Sequence, residues 1–370
     1  MSLNINFYFP SIEKGGLEKN VFSLINSLAE RQYNINFFTY ENNINTKEFG
    51  KKFYFHKKIN VITAKFIPGI NNRYIKYLFC FFRLLTMLLF QKGIIVSFQG
   101  NVLPIIAAKI MCRKIIIRCN TAPSKYINSS FKRFFFKFFY SFSDIILVTT
   151  KDFKNEIKKY FNLKSVVHRQ SLDIDDIKKK SKIKCNFNFF KNFDGLKIIN
   201  IGRLTYQKDQ ITLLRAFAKL IEFRKAKLLL LGSGDDEVQL KYFINKKKLD
   251  KFIKIIPYVS NPFKYIILSD VKVLSSRYEG SPNILLEAAC LKKLIISSNC
   301  KVGPSETLQS GKGGILFDVG DYNKLFLILK NINLNSSVNK NKIKKTYTYI
   351  KKNYQKDISI TFINKIGKLL

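Results

Sequence analysis

Three stretches of this 370-residue chain bring together residue types that could hold an anionic, hydroxyl-rich ligand. In the first, Gly202 follows the apolar run 197–201, and Arg203 and Lys208 sit five residues apart on the loop that leaves it. Two cations converging at the carboxyl end of a strand suit a diphosphate, because guanidinium is a planar fork and ammonium a point charge. In the second, residues 275–287 follow another apolar run and contain Glu279, Pro282, Asn283, Ile284 and Glu287. Pro282 suits the first turn of a helix, whose N–H groups at Asn283 and Ile284 would face an anion. The carboxylates of Glu279 and Glu287 can accept paired hydrogen bonds from ring or ribose hydroxyls. In the third, Gly15 and Gly16 lie between the first apolar run and a helical pattern over 17–31, where backbone can approach a phosphate or sugar closely. Each stretch also has a plainer reading: solvated loop charges in a basic chain for the cations, and an ordinary turn for the glycines.

These loops need elements to hold them. Short β-branched or aromatic runs at 3–9, 35–40, 94–98, 115–118, 144–149, 197–201, 227–231, 252–256, 271–274 and 294–297 alternate with longer helical patterns. That alternation predicts an α/β fold of parallel sheets covered by helices on both faces. The polar stretch 171–195 reads as a linker between two doubly wound domains, 1–170 and 196–335, and 336–370 as a helical tail with its main pattern over 342–369. Ligands of such sheets sit at strand carboxyl ends, where the three stretches lie. The first loop is not G-x-G-x-x-G, and no acidic residue ends the second run, so dinucleotide oxidoreduction is disfavoured.

Composition narrows the classes further. The 46% hydrophobic content suits two globular cores. Lys and Arg number 65 against 25 Asp and Glu, a net charge of +40 that attracts polyanions of any kind. Richness in Lys, Asn, Ile and Phe with no Trp is also what an AT-biased coding sequence writes into any fold. The excess is shared by both halves, yet residues 49–143 hold no acid at all and seventeen bases. Six cysteines without a C-x-x-C pair, beside His56 and His168 only, give no zinc-ligand set and suit a reducing cytoplasm. Both histidines read as structural or exposed. No signal peptide is evident, and the run 77–90 is short of a bilayer span and carries Arg83.

Gly15-Gly16-Leu17-Glu18, the 202–209 loop, Leu231-Gly232-Ser233-Gly234, the Glu279 and Glu287 pair, and Gly303-Pro304-Ser305-Glu306 together resemble glycosyltransferase family 4, densely over 197–321 and more sparsely before it. The resemblance implies the GT-B fold, two Rossmann-like domains facing each other across a cleft, and metal-independent transfer with retention from a nucleotide-sugar, UDP-linked, with no cofactor. It implies a hexosyl- or N-acetylhexosaminyl-transferase whose acceptor is a glycan or lipid-linked oligosaccharide of lipopolysaccharide, O-antigen or capsule type. By it Arg203 and Lys208 would hold the donor diphosphate, Glu279 the sugar hydroxyls and Glu287 the ribose. Gly16 would border the transferred sugar. Relatives carry a His in an N-domain loop; here that place holds Cys119-Asn120, with Gln99, Asn101 and Asn120 as the polar side chains available.

Two rivals share parts of this pattern. A GT-B sugar-nucleotide epimerase would need more acid–base groups than two misplaced histidines supply. A nucleic-acid-binding protein would use the charge, but no recognition motif accompanies it, so no nucleic acid partner is expected. Within the acid-free span, residues 74–90 and 131–140 interleave aromatics with cations. They read either as core stripes or as a cationic surface that would bring the chain to anionic lipid on the inner face of the cytoplasmic membrane.

Overall fold

The structure is a computed structural model that describes residues 4–12, 16–41, 55–64, 70, 72–355 and 357–367. It divides into two compact units, residues 1–171 with 356–370 and residues 172–355.

In the first unit the order is β1 (Asn4–Tyr8), α1 (Gly16–Glu30), β2 (Asn34–Thr39), β3 (Ile59–Thr63), α2 (Arg73–Phe90), β4 (Ile94–Ser97), α3 (Val102–Ile110), β5 (Ile115–Arg118), α4 (Ser130–Ser141), β6 (Ile145–Val148), α5 (Lys151–Phe161) and β7 (Val166–Val167). The strands form one parallel sheet in the order β3-β2-β1-β4-β5-β6-β7. Its chain logic is local. In α5, for example, the Thr150 hydroxyl accepts from the Phe153 amide, Phe153, Ile157 and Phe161 recur at helical spacing and are buried, and Asn162 ends the helix in the left-handed region at φ 55. On one face of the sheet α1 buries Val21, Phe22, Leu24, Ile25 and Leu28 against Phe7, Phe9 and Phe37.

The second unit runs α6 (Ile174–Ser181), β8 (Leu196–Ile201), α7 (Gln210–Leu220), β9 (Ala226–Leu231), α8 (Glu237–Lys246), β10 (Ile253–Ile256), α9 (Phe263–Ile266), β11 (Val271–Leu274), α10 (Asn283–Cys290), β12 (Leu294–Ser298), α11 (Pro304–Thr307), β13 (Ile315–Phe317), α12 (Tyr322–Asn331) and α13 (Ser337–Tyr354). Its six strands are parallel in the order β10-β9-β8-β11-β12-β13. Leu228 to Leu231 of β9 are all buried, because helices cover both faces and no side of the strand meets water. The strand order reverses beside β8 and β11, which makes the loops after those two strands the natural ligand site of this unit.

Two expectations change. The stretch 171–195, read as a linker, packs into the second unit: Ile174 and Ile177 of α6 and Phe190 lie in its core, an apolar stripe hidden among lysines and asparagines. The pattern over 342–369 is not one helix. It breaks after α13, and Asp357, whose carboxylate accepts from the Ser359 and Ile360 amides, caps a new helix, α14 (Ile358–Ile366). This helix belongs to the first unit, where Ile358, Phe362 and Ile366 join the cluster that holds Phe7 and Phe98. Each unit has an edge strand not anticipated from sequence, β3 and β13.

Candidate donor site at the strand-order reversal

The loop after β8 is fixed from below by backbone. Gly202 donates to Leu231 O at 3.0 Å, Leu204 to Ser233 O at 3.0 Å and Asp236 to Leu204 O at 3.0 Å, so the 202–204 and 232–236 segments lie side by side. Gly232 is required by that approach: a Cβ there would stand 1.9 Å from Gly202 O, well inside contact distance. The loop then turns at Asp209, a buried non-glycine residue at φ 49 that starts α7. Asp209 is held by two donors, the Thr212 hydroxyl at 2.9 Å and the Arg277 guanidinium at 3.2 Å. Arg277 lies at the same time over the Tyr206 ring, 4.3 Å from its centroid.

These contacts draw the second loop onto the first. Arg277 N donates to Gln207 O at 2.9 Å, the Gln207 side-chain amide to Tyr278 O at 3.1 Å, and the Ser275 hydroxyl to Lys208 O at 3.0 Å. As a result Lys208 Nζ reaches Glu279 Oε1 at 2.6 Å, with the Ser276 hydroxyl donating to the same oxygen at 2.6 Å. Arg203 stands nearby, its guanidinium 3.5 Å from Gln207 Oε1 and its carbonyl accepting from Gln210. α10 begins at Asn283, with Pro282 in the capping position, so the Asn283 and Ile284 amides belong to its first turn and Glu287 to its second. Gly303, at φ +98, allows the loop after β12 to pass against this turn, since a Cβ would lie 2.7 Å from Pro282 Cδ.

Of the residues singled out from sequence, Gly202, Arg203, Lys208, Glu279, Asn283, Ile284 and Glu287 thus lie on two adjoining loops and one helix start of the second unit. Gly16 opens α1 in the first unit, and Gly15 lies outside the described residues. Sequence reasoning gave no role to Asp209, Ser276 and Arg277; the Asp209–Arg277 pair is made across 68 residues of chain, and Ser276 bonds Glu279 three residues on within one loop. It also missed Lys272, which sits inside β11 between Ile199 of β8 and Ile295 of β12. Lys272 is fully buried, and burial pulls its ammonium well below the ordinary lysine range. Among the described residues, no three His, Cys, Asp or Glu side chains gather as a metal site.

In the first unit, the polar residues near the missing histidine are committed to its loops. Gln99 Nε2 donates to Ser11 O at 2.9 Å and Gln99 Oε1 accepts from Ser11 N at 3.0 Å; Asn101 donates to Arg118 O and Asn120 to Phe98 O. His168 is buried against Phe362, ring centroids 5.5 Å apart, and burial with the nearby Arg118 charge pushes it down to about 3. His56 lies in a loop before β3. On α2, Tyr74, Leu78, Phe82, Leu89 and Phe90 are exposed, and on α4 Phe131, Phe134 and Phe138 are. These outer side chains lie off the core, while Cys80, Leu84 and Leu88 of α2 and Tyr140 of α4 form the buried side of each helix. No described helix is long and apolar enough to cross a membrane.

Comparison with known proteins bears on the family and the fold. Residues 151–352 match the family described as "Glycosyl transferases group 1". An uncharacterized glycosyltransferase of Methanocaldococcus jannaschii is 36% identical over 185 residues, 47% of this chain and 44% of that protein. The N-acetylgalactosamine-N,N'-diacetylbacillosaminyl-diphospho-undecaprenol 4-alpha-N-acetylgalactosaminyltransferase of Campylobacter jejuni is 25% identical, covering 59% of this chain and 60% of its own length. The amylovoran biosynthesis glycosyltransferase of Erwinia amylovora is 30% identical, covering 46% and 48%. The chain thus spans about half the length of the curated relatives it matches. Among solved structures, Anabaena HepE in complex with UDP and glucose superposes with a TM-score of 0.80 at 14% identity, covering 99% of this chain and 100% of that one. Sucrose-phosphate synthase from Thermosynechococcus elongatus does so at 0.80 and 14%, covering 100% and 99%. At that identity the likeness establishes the fold, α/β with two parallel sheets of the GT-B kind.

Proposed function

The chain belongs to the glycosyl transferases group 1, matched over residues 151–352, and from that premise we propose that it transfers a sugar from a nucleotide-sugar, UDP-linked, with retention and without a metal. The observation that carries this reading is the convergence of Lys208, Glu279 and Ser276, with Arg203 on the same loop, at the strand-order reversal of the second unit. When the glycosyl–phosphate bond breaks, its electron pair goes to the diphosphate and the sugar carbon gains oxocarbenium character. Fixed cations and helix N–H groups at the leaving oxygens lower that barrier as a metal would. Lys208, Arg203 and the first turn of α10 take this role, Glu279 binds sugar hydroxyls, and Glu287 binds the ribose. The acceptor oxygen attacks from the face that the phosphate leaves, forming the new bond to the sugar carbon and giving its proton to the departing phosphate oxygen. No protein nucleophile is needed.

The acceptor in this reading is a glycan or a lipid-linked oligosaccharide of lipopolysaccharide, O-antigen or capsule type. Support comes from the Campylobacter relative, named for a diphospho-undecaprenol substrate, and from the Erwinia relative, named for amylovoran biosynthesis. The aromatic and cationic outer faces of α2 and α4 fit a peripheral seat on anionic lipid at the inner membrane face, exposed rings entering the headgroup layer between Lys132, Arg133 and Lys137. A thermal-shift screen of UDP, GDP and their sugars, followed by transfer assays on the stabilising donor, tests the reading. Stabilisation by one nucleotide family, lost in Lys208→Ala, is expected. No stabilisation by any nucleotide diphosphate would refute it.

A further inference from the structure

Lys272 lies on β11, the strand that leads into the Glu279 loop, and the proposed reaction leaves its amine unused. It occupies the middle of a parallel sheet, with Ile199 and Ile295 as its register neighbours, on the face lined by Leu229, Leu286 and Ala289. Its Nζ is shut off from solvent and has no hydrogen-bond partner among the described residues. An ammonium desolvated in that way with no hydrogen bond to it is costly, so a lysine here in its neutral form is the more stable state. The charged groups that act on it come from three elements: Lys208 on the loop after β8, Glu279 on the loop after β11, and Glu287 on α10. The flanking strands β8 and β12 present only isoleucine to it in register.

This set of charges changes when an anion arrives. Before binding, Lys208 is engaged with Glu279 at 2.6 Å and opposes a second positive charge on Lys272. A nucleoside diphosphate competes for Lys208, which leaves the mostly buried Glu279 carboxylate less compensated and adds negative potential above the strand. Resting on the donor-site reading above, we propose that Lys272 is a positioning residue that stays uncharged in the empty site and takes up one proton as the diphosphate binds. Its new charge replaces the cation that Glu279 loses to the phosphates.

Proton uptake on binding requires that affinity fall as pH rises through the window between the free and bound proton affinities of Lys272, by up to about tenfold in Kd per pH unit. Calorimetric titration of the full chain with UDP, and with GDP in parallel, in two buffers of different ionisation enthalpy at pH 7.5 and above reads the protons directly, where the nucleotide itself is already ionised. Wild type should take up as much as one proton more than Lys272→Met, and only wild type should show the pH-dependent affinity. The variant should fold, since methionine replaces a buried unpaired amine with an apolar chain of similar length. Equal proton counts in the two proteins, or a wild-type Kd that does not change with pH, would overturn this inference while leaving the donor site standing. A protein that binds neither UDP nor GDP would overturn both.

Discussion

Replacing Lys208 with Met separates what the 2.6 Å pair with Glu279 does for the fold from what the ammonium does for the reaction. Breaking a fully buried ion pair from one side costs about 3–5 kcal/mol, because the surviving charge is stranded. Here the side chains keep 16% and 7% exposure, and the Ser276 hydroxyl still serves Glu279 Oε1. The expected loss is therefore smaller, about 1–3 kcal/mol, or on the order of 2–12 °C in Tm for a unit of this size. For the chemistry, removing one fixed charge from the leaving group is worth about 2.7–4 kcal/mol, a fall of roughly 100- to 1000-fold in kcat. The double variant Lys208→Met with Glu279→Gln should recover stability to within about 1 kcal/mol of wild type, since no lone charge remains. It should not recover transfer. Chemical denaturation and initial-rate assays on the four proteins of this cycle measure both quantities. Single-variant transfer within fivefold of wild type, or activity that returns together with stability in the double variant, would show that the pair is only a fastener and that the cation does not act on the diphosphate.

Other perturbations have equally definite outcomes. Gly232→Ala should lower stability by about 1–3 kcal/mol and weaken nucleotide binding, because the new Cβ must displace the Gly202 carbonyl that frames the cation loop; an unchanged Tm would contradict the packing described. His168 is held neutral in the fold with its proton affinity pushed down to about 3, below the unfolded value of about 6.5, so stability is present above pH 6.5 and is lost as pH falls towards 3. Between pH 6.5 and 5 that amounts to about 2 kcal/mol, and His168→Gln should show a correspondingly flatter acid limb in denaturation curves measured at the two pH values. Substituting Phe131, Phe134 and Phe138 together with Ser should abolish flotation with phosphatidylglycerol vesicles while leaving nucleotide binding intact. Equal flotation with neutral vesicles would remove the anionic-lipid seat.

Much of this architecture was readable from residue order. The runs at 197–201, 227–231 and 271–274 announced β8, β9 and β11 because strands buried on both faces are mostly apolar. β13 escaped notice because it is three residues long behind Gly313-Gly314, and β3 because Asn60 interrupts its pattern. Arg203, Lys208, Glu279 and Glu287 could be named from type and position, but not the direct contact of Lys208 with Glu279, which is made across 71 residues of chain. Asp209 was visible only as the end of the 202–209 loop; its buried, left-handed backbone and its bond to Arg277 show that it pins the two loops together. Lys272 was hidden most completely. A lysine between two valines at alternating positions looks like a solvent-facing residue of a half-exposed strand, and only the helices on both sides of the sheet reveal that this face is dry.

The closing helix α14 also shapes how the protein is made. Its apolar side covers Phe7 and Phe98, whose sheet leaves the ribosome before the whole of residues 172–355. At ordinary synthesis rates that delay is roughly 10–40 s. During this interval a nascent aromatic surface waits uncovered, open to chaperones and to premature clumping, until a helix encoded far downstream returns to seal it.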